Sequence, residues 1–327
     1  MQKIAWVSIS GRLTLDMHSL NNEGGEGNQI MTRTVNIIYD EGKDGQKVEE
    51  LASVNAISGD MFKHIQGEHL HNIAKEEGLP LCAGCANAHP NRIGVDSEFV
   101  SQAKGKPDGQ VTEAMLKRCA VDDLEGILIT SGNRNTARKS VVEFGWVVGL
   151  PDKTRTDSYF HVKYVADPGA KGKSDEEEAA NVGQAIFHRP ASSGVYAAVV
   201  SMEAARIGFN DYQRVYAVDP AERKRRYSAL LRSVAYTFVQ PNGAMRNTQN
   251  PHILGFEGVV AVSHTTVPAP LVSSLSAGYE DEMKRIRDAV NRIEGGTPVE
   301  TWKFESLSEF MAIIGDLVSE TEPLELK

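Results

Sequence analysis

The stretch IAWVSISGRLTLDMH, residues 4–18, alternates apolar and polar residues through Ile4, Trp6, Ser8 and Ser10 and again at Leu13 and Leu15. A period of two is that of a strand, and its length predicts one long strand at the very start of the chain. Gly11 interrupts the alternation, which predicts a bend or bulge there. The strand runs straight into SLNNEGGEGNQIMTRTV, residues 19–35, a polar loop rich in Asn and Gly. Such a loop is either a long solvated turn or a place where something rich in acceptors approaches the backbone closely.

The same pattern of strands separated by long polar segments continues. TRTVNIIYDE is rich in β-branched residues and reads as a second strand. VEELASVNAISGDMFKHIQGEHLHNIAKEEG passes from extended to helical, with Ser58 as N-cap, an apolar stripe of Met61, Ile65, Leu70 and Ile73, and a stop at Gly78-Leu79-Pro80. Residues 80–122 change character: they are rich in Gly, Asn, Pro, Asp and Lys, contain one clear helix in TEAMLKRCAV, and read as an insertion. LEGILIT and SVVEFGWVVGLP return to strand character. SYFHVKYVA and QAIFHRPASSGVYAAVVSMEAARIGF flank the polar run DPGAKGKSDEEEAANVG, which predicts a two-stranded excursion with a charged tip. DPAERKRRYSALLRSVAYTFV is a helix with Asp219 as N-cap and Pro220 at its first position. A second Asn/Gly loop, QPNGAMRNTQNPH, precedes strand GFEGVVAVSH, helix AGYEDEMKRIRDAVNRIEGG and a closing strand and helix in ETWKFESLSEFMAIIGDLV. The fold class is α+β, without an internal repeat.

Composition narrows the function classes. At 327 residues, the chain suits one large domain or a core with a substantial insertion. A content of 41% hydrophobic and 24% charged residues is that of a globular protein with a sizeable core. The net charge of −9 weighs against nucleic-acid binding, although a basic face can coexist with an acidic remainder. Three Cys exclude a disulfide framework and point to a reducing compartment. No targeting segment appears and no apolar run approaches the roughly 18–20 residues of a membrane span, so a cytoplasmic protein with no membrane partner is expected.

Three groups of residues can carry chemistry. Cys82 and Cys85 in CAGC, with His89 and Cys119, offer four ligands for one structural zinc; ordinary reduced cysteines in a loop are the other reading. No further cofactor is required. In KHIQGEHLH, His64, Glu68 and His71 share a helical face without the HExxH spacing, and a hydrated face is favoured over a metal site. Lys63 lies one turn into the helix opened by Ser58-Gly59, where free N–H groups and the dipole suit a phosphate. The third group is basic: Arg134, Arg138 and Lys139 in NRNTARKS, Arg223 to Arg226 in ERKRRY, and Arg246 in NGAMRNTQN. One such cluster is usually a solvated face; several beside Asn-rich loops suggest recognition of a nucleic-acid backbone. No nucleophile elbow, P-loop or dinucleotide fingerprint is present.

Five blocks in order, ISGRLTLDMHSLNNEGGEGN, AISGDMFKHIQGEHL, FHRPASSGVYAAVVSMEAARIGFN, VDPAERKRRYSALLRSV and NGAMRNTQNPHI, resemble the DevR-type backbone subunit of the CRISPR type I Cascade complex. The resemblance covers residues from about 4 to about 270; the insertion and the tail after 280 match less clearly. It implies a modified RRM-like (ferredoxin-like) palm with an inserted fingers domain and a thumb β-hairpin. The boundaries are 1–79 palm, 80–132 fingers, 133–154 palm, 155–190 thumb, and 191–327 palm and C-terminal tail. It implies partners too: CRISPR guide RNA, target DNA reached through the guide, further copies of the chain, and other Cascade subunits. Carried over by block, the RNA-binding residues are Ser19, Asn21, Asn22, Gly24, Gly25 and Asn28 of the palm loop, Lys63 and His64, then Arg134, Arg138 and Lys139, and finally Arg246, Asn247 and Gln249. Glu23 and Glu26 should turn away from the RNA.

A subunit that must accept any guide holds phosphate and sugar and leaves the bases to pair, so Asn/Gly loops and scattered cations suit it. The resemblance also marks a departure. Type III members of the family cleave RNA with an Asp in the loop after the first strand, whereas residues 18–28 contain no Asp and Asp16 lies in the strand. A non-catalytic chain is therefore expected. A metal-dependent ribonuclease of the type III kind and a zinc-stabilised RNA-binding protein outside CRISPR are the competing readings.

Overall fold

The structure is a computed structural model that describes residues 1–40, 49–131, 134–164, 184–243 and 249–327. The long first strand becomes the middle of a large sheet. In chain order the main strands are β1 (Trp6–His18), β2 (Thr34–Asp40), β3 (Glu49–Ile57), β4 (Val147–Tyr164), β5 (Gln184–Met202), β6 (His252–Ser263) and β7 (Val299–Phe304). They lie side by side as β7-β6-β1-β5-β4-β3-β2, every neighbouring pair antiparallel. Mixed α/β architecture around a large sheet is thus what the alternation predicted.

Both faces of β1 are buried, which explains its small polar residues. Val7, Ile9, Leu13 and Leu15 point to one face and are fully covered. Ser8 and Ser10 point to the other, where the segment after β6 crosses the sheet. There Ser8 Oγ donates to the Pro270 carbonyl, Ser10 Oγ accepts from Val272 N–H, and Arg12 Nε donates to the Ser274 carbonyl at 2.9 Å. Short hydroxyls let a buried strand face a polar backbone with its hydrogen bonds satisfied.

Gly11 does not bend the strand. Pairing runs unbroken past it on both sides, to Ala198 and to Gly258, and the irregularities fall later, at Ser192/Gly194 and Ile253/Gly255. The glycine is needed for space: a Cβ there would sit 2.7 Å from the Phe256 ring.

That ring belongs to the core under three helices, α1 (Gly59–Glu76), α2 (Pro220–Val239) and α3 (Leu307–Glu320). Phe238 of α2 stacks on Phe256 at 4.4 Å, Phe310 of α3 meets both edge-on, and Phe62 of α1 closes the cluster against Phe238. Each fully buried ring contributes about 1.5–3 kcal/mol relative to exposure. Helix starts follow the local code: Ser58 Oγ accepts from Met61 N–H at 3.1 Å, and Asp219 accepts from Ala221 and Glu222 N–H with Pro220 following. A helix at Tyr279–Glu294 covers Val259 and Ala261 on the opposite face through Met283.

The insertion is more helical than its composition suggests. Short helices span Ala83–Ala86, Ser97–Ala103, Asp108–Arg118 and Ala120–Glu125, and the expected helix over 112–121 breaks at Cys119. Cys119 is extended (φ −146°, ψ 116°) and ends one helix while its Sγ caps the next. Buried residues of the insertion, including Phe99, Met115, Leu116 and Leu124, join the same core as the sheet.

The ERKRRY cluster is not a basic face. Arg226 and Arg223 are 1% and 2% exposed. Arg226 and Arg138 both clamp Asp123, at 2.9 and 2.7 Å, and Gly208 N–H completes that carboxylate. Arg223 lies over the Tyr216 ring at 3.8 Å and donates to the Ile207 and Leu324 carbonyls. Among the described residues, no helix is long and apolar enough to cross a membrane.

Candidate RNA interface

The polar loop after β1 folds into a small hairpin, Asn22–Glu26 paired with Gln29–Thr32. Its root is locked. Asn21 is buried, and its Oδ1 accepts the Ser58 N–H at 2.7 Å, tying the loop to the cap of α1. Its carbonyl accepts from Arg33 N–H and Thr32 Oγ1. Asn55 extends the lock: it donates to Thr32 Oγ1 and the Arg33 carbonyl, and accepts from Tyr196 OH at 2.8 Å. Ser19 is also buried and donates to Asn22 Oδ1. Beneath them His18 is buried edge-on to Tyr196, and loss of hydration lowers its pKa to about 4.

The tip is open. Residues 23–29 are exposed, and a Cβ on Gly24 or Gly27 would meet nothing within 4 Å. Glu23 turns to Arg33, 2.8 Å away, and Arg33 lies over Trp146. Ser19 and Asn21 therefore hold the loop, while Gly24, Gly25 and Asn28 present it.

Beside the tip rises the two-stranded excursion. β4 and β5 pair from Thr154↔Gly194 to Tyr164↔Gln184, beyond the reach of β3, which pairs with β4 only at Val147 and Val148. A bulge separates this part from the sheet: Asp152 has φ 57°, and Gly194, at φ 150°, lies so close to Thr154 that a Cβ would be 2.6 Å from its Cα. His188 N–H donates to the Asn28 carbonyl at 2.8 Å, so the loop hairpin leans on the root of the excursion. Gln249 is buried there and donates to the Pro190 carbonyl. Arg246 and Asn247, and the charged tip of the excursion, lie outside the described residues.

The excursion carries a row of rings that the sequence blocks do not single out. Tyr159, His161, Phe187 and Arg189 fall on one face, with His161 stacked on Phe187 and the Arg189 guanidinium over the same ring. Phe160 and His188 occupy the other face, and Phe160 is 57% exposed. The signal in SYFHVKY and IFHRP is an aromatic or imidazole ring at half of their twelve positions.

Lys63 and His64 face elsewhere, into a groove of about 680 Å³ between α1 and the insertion, shared with Glu68, His71, Arg92 and Glu125. The helix start offers little to a phosphate, because Ser58 N–H is taken and Gly59 packs on the Phe144 carbonyl. Burial lowers the Lys63 pKa while Glu125, 3.9 Å away, works against it. His64 is exposed and pairs with Glu68.

The Arg134–Lys139 segment divides. Arg138 is buried on Asp123 and Asp211 and is a structural strut. Arg134 donates to the Ala103 and Lys106 carbonyls and pairs with Asp108, so it too ties the insertion down. Lys139 is exposed beside Glu143.

The cysteines converge, with one change of partner. Cys82, Cys85 and Cys119 are buried with Asp122, their ligand atoms all within 4.8 Å of one another, and this cluster could hold a metal ion. His89 is exposed and accepts from Asn91 N–H instead. Hydrogen bonds from Cys119 and Cys85 pull the Cys82 thiol down to about 5, and burial pushes Asp122 up to about 8.

Comparison with known proteins agrees with the fold. A chain of a solved CRISPR RNA-guided surveillance complex (pre-nicking) superposes with a TM-score of 0.50, covering 95% of this chain and 99% of that one at 12% identity. CRISPR-associated protein Cas7/Csa2 1 of Saccharolobus solfataricus is 23% identical over 88% of each chain. CRISPR-associated protein Cas7/Cst2/DevR of Methanocaldococcus jannaschii is 24% identical over 96% of this chain and 98% of its own. The model of the family described as CRISPR-associated negative auto-regulator DevR/Csa2 matches residues 9–284. With that match spanning most of its length, and the five ordered blocks lying largely within it, the chain belongs to the DevR/Csa2 family of CRISPR-associated proteins.

Proposed function

We propose that this chain is a non-catalytic subunit that lines up in copies along CRISPR guide RNA, holds its sugar-phosphate backbone, and leaves bases free to pair with target DNA. The sheet with α1 and α2 serves as the modified RRM-like palm, residues 80–132 as fingers and 155–190 as thumb. Other subunits of a Cascade-type complex complete the assembly. The observation that carries this reading is the ridge formed where the exposed loop hairpin joins the root of the excursion through the Asn28–His188 bond. Exposed glycine backbone offers N–H groups to phosphate oxygens without reading sequence, and the neighbouring aromatic ribbon offers flat faces for bases or sugars. Glu23 is neutralised by Arg33 and does not oppose the phosphates. Lys63, His64 and Lys139 lie outside that ridge, whereas Arg134 and Arg138 shape the protein that bears it.

The absence of an Asp from the loop at 18–28, with Asp16 inside β1, supports a binding role over cleavage. The test is RNA binding by the assembled protein at several salt concentrations. Arg246→Ala should weaken binding equally for unrelated guide sequences and reduce the salt slope by about 0.7, one phosphate contact on a single strand. A change in sequence preference would refute the backbone reading. Metal-dependent cleavage of target RNA, abolished by Asp16→Asn, would refute the non-catalytic one.

A further inference from the structure

We propose that Cys82, Cys85, Cys119 and Asp122 bind one structural zinc ion that joins the two ends of the insertion. Two similar turns build the site. Cys82 caps the Ala83–Ala86 helix with its Sγ accepting from Cys85 N–H at 3.3 Å, and Cys119 caps the Ala120–Glu125 helix with its Sγ accepting from Asp122 N–H at 3.4 Å. Each turn thus presents a capping sulfur and a second ligand three residues on, sulfur in the first and carboxylate in the second. A backbone bond from Ala120 N–H to the Pro80 carbonyl, 2.8 Å, holds the turns together.

The distances suit one tetrahedral ion. Zn–S near 2.3 Å and Zn–O near 2.0–2.2 Å place neighbouring ligand atoms about 3.5–3.8 Å apart. Asp122 Oδ2 lies 3.3 Å from Cys82 Sγ and 3.7 Å from Cys85 Sγ. All four side chains are buried, at 3% exposure or less, and Asp122 Oδ1 has no hydrogen-bond partner among the described residues. The nearest cation is Arg92, whose Nη1 is 3.6 Å from Oδ1 and whose other arm holds the Gly126 carbonyl. A carboxylate enclosed with three sulfurs is costly unless a cation neutralises it, and thiolates with one oxygen select zinc over the hard cations. The two ligand pairs lie where the insertion leaves α1 and where it returns toward the sheet. The ion would therefore brace the groove occupied by Lys63 and Glu125, which Cys85 also lines.

The experiment uses tag-free, full-length protein purified without chelator from zinc-containing medium. Elemental analysis and native mass spectrometry should find about one zinc per chain. His89→Ala should retain the ion, and Cys82→Ser and Cys119→Ser should each lose it. Because a thiol variant can fail to fold, the unmutated protein is also titrated with p-hydroxymercuribenzoate in the presence of a zinc-sensitive dye. Zinc release should track modification of the thiols. Absence of zinc, with none taken up after reduction and incubation with zinc salt, would overturn the proposal. So would release independent of the thiols, or loss of zinc in His89→Ala with retention in Asp122→Ala.

Discussion

The palm loop and the base of the insertion begin alike and end differently. SLNNEGGEGN and LCAGCANAHPN are both short segments that carry Gly and Asn and are flanked by regular structure. The first presents an open hairpin with its glycine backbone in solvent; the second turns inward and buries two sulfurs beside a carboxylate. What separates them is where each finds partners for its polar groups. Asn21 satisfies the loop at its root, through Ser58, and leaves the glycines of the tip exposed. The insertion satisfies its own through Asp122 and Asp96, which arrive from later in the chain. A tip left free suits a ligand, and a base closed on itself suits a scaffold.

Three measurements can break or sharpen this contrast. The largest effect is expected within the scaffold. Asp123→Ala would take from the buried guanidiniums of Arg138 and Arg226 the carboxylate they share, and should cost about 3–5 kcal/mol in denaturant unfolding. A loss below that of a surface substitution would show that the insertion is not locked as described.

Next comes the root of the loop, where His18 is buried without its charge. Its folded pKa, about 4, lies below the unfolded value of 6.5. The unfolded chain then binds more protons between those values, so stability is full above about pH 6.5 and falls as the pH drops toward 4. The total loss is about 3 kcal/mol, and His18→Leu should remove that part of the pH dependence. An unchanged acid profile in the variant would place the titrating group elsewhere.

The smallest effect belongs to the ridge. Phe160→Ser should change stability by less than about 1 kcal/mol, since the ring is mostly exposed and its ring contact among the described residues is the cross-strand one with His188. The same variant should weaken guide-RNA binding if the ribbon serves as the thumb. A large stability loss with intact RNA binding would make the ribbon structural and erase the contrast.

Much of this was legible along the chain. Caps at Ser58 and Asp219 depend on residues within one turn, so local spelling suffices to find them. The strands were readable from alternation, and family membership from the order of five blocks. Burial of the cations was not. Arg223 and Arg226 look like a surface cluster beside Lys224 and Arg225 because a helix carries them on neighbouring positions, and only the elements packed against that helix decide which side is inside. Asp122 is likewise unremarkable in sequence until the fold sets it against Cys82, 40 residues earlier in the chain.

By itself, then, the sequence determined the local elements: a long central strand, its polar loop, capped helices and a paired excursion. These follow from periodicity and from hydrogen bonds made within a few residues. Tertiary structure alone decided that Gly11 makes room for Phe256, that Asp122 replaces His89 among the cysteines, and that Arg138 braces the interior. The reason is physical: a buried charge or sulfur takes whichever partner the packing of distant elements brings within reach, and spacing along the chain carries no record of that choice.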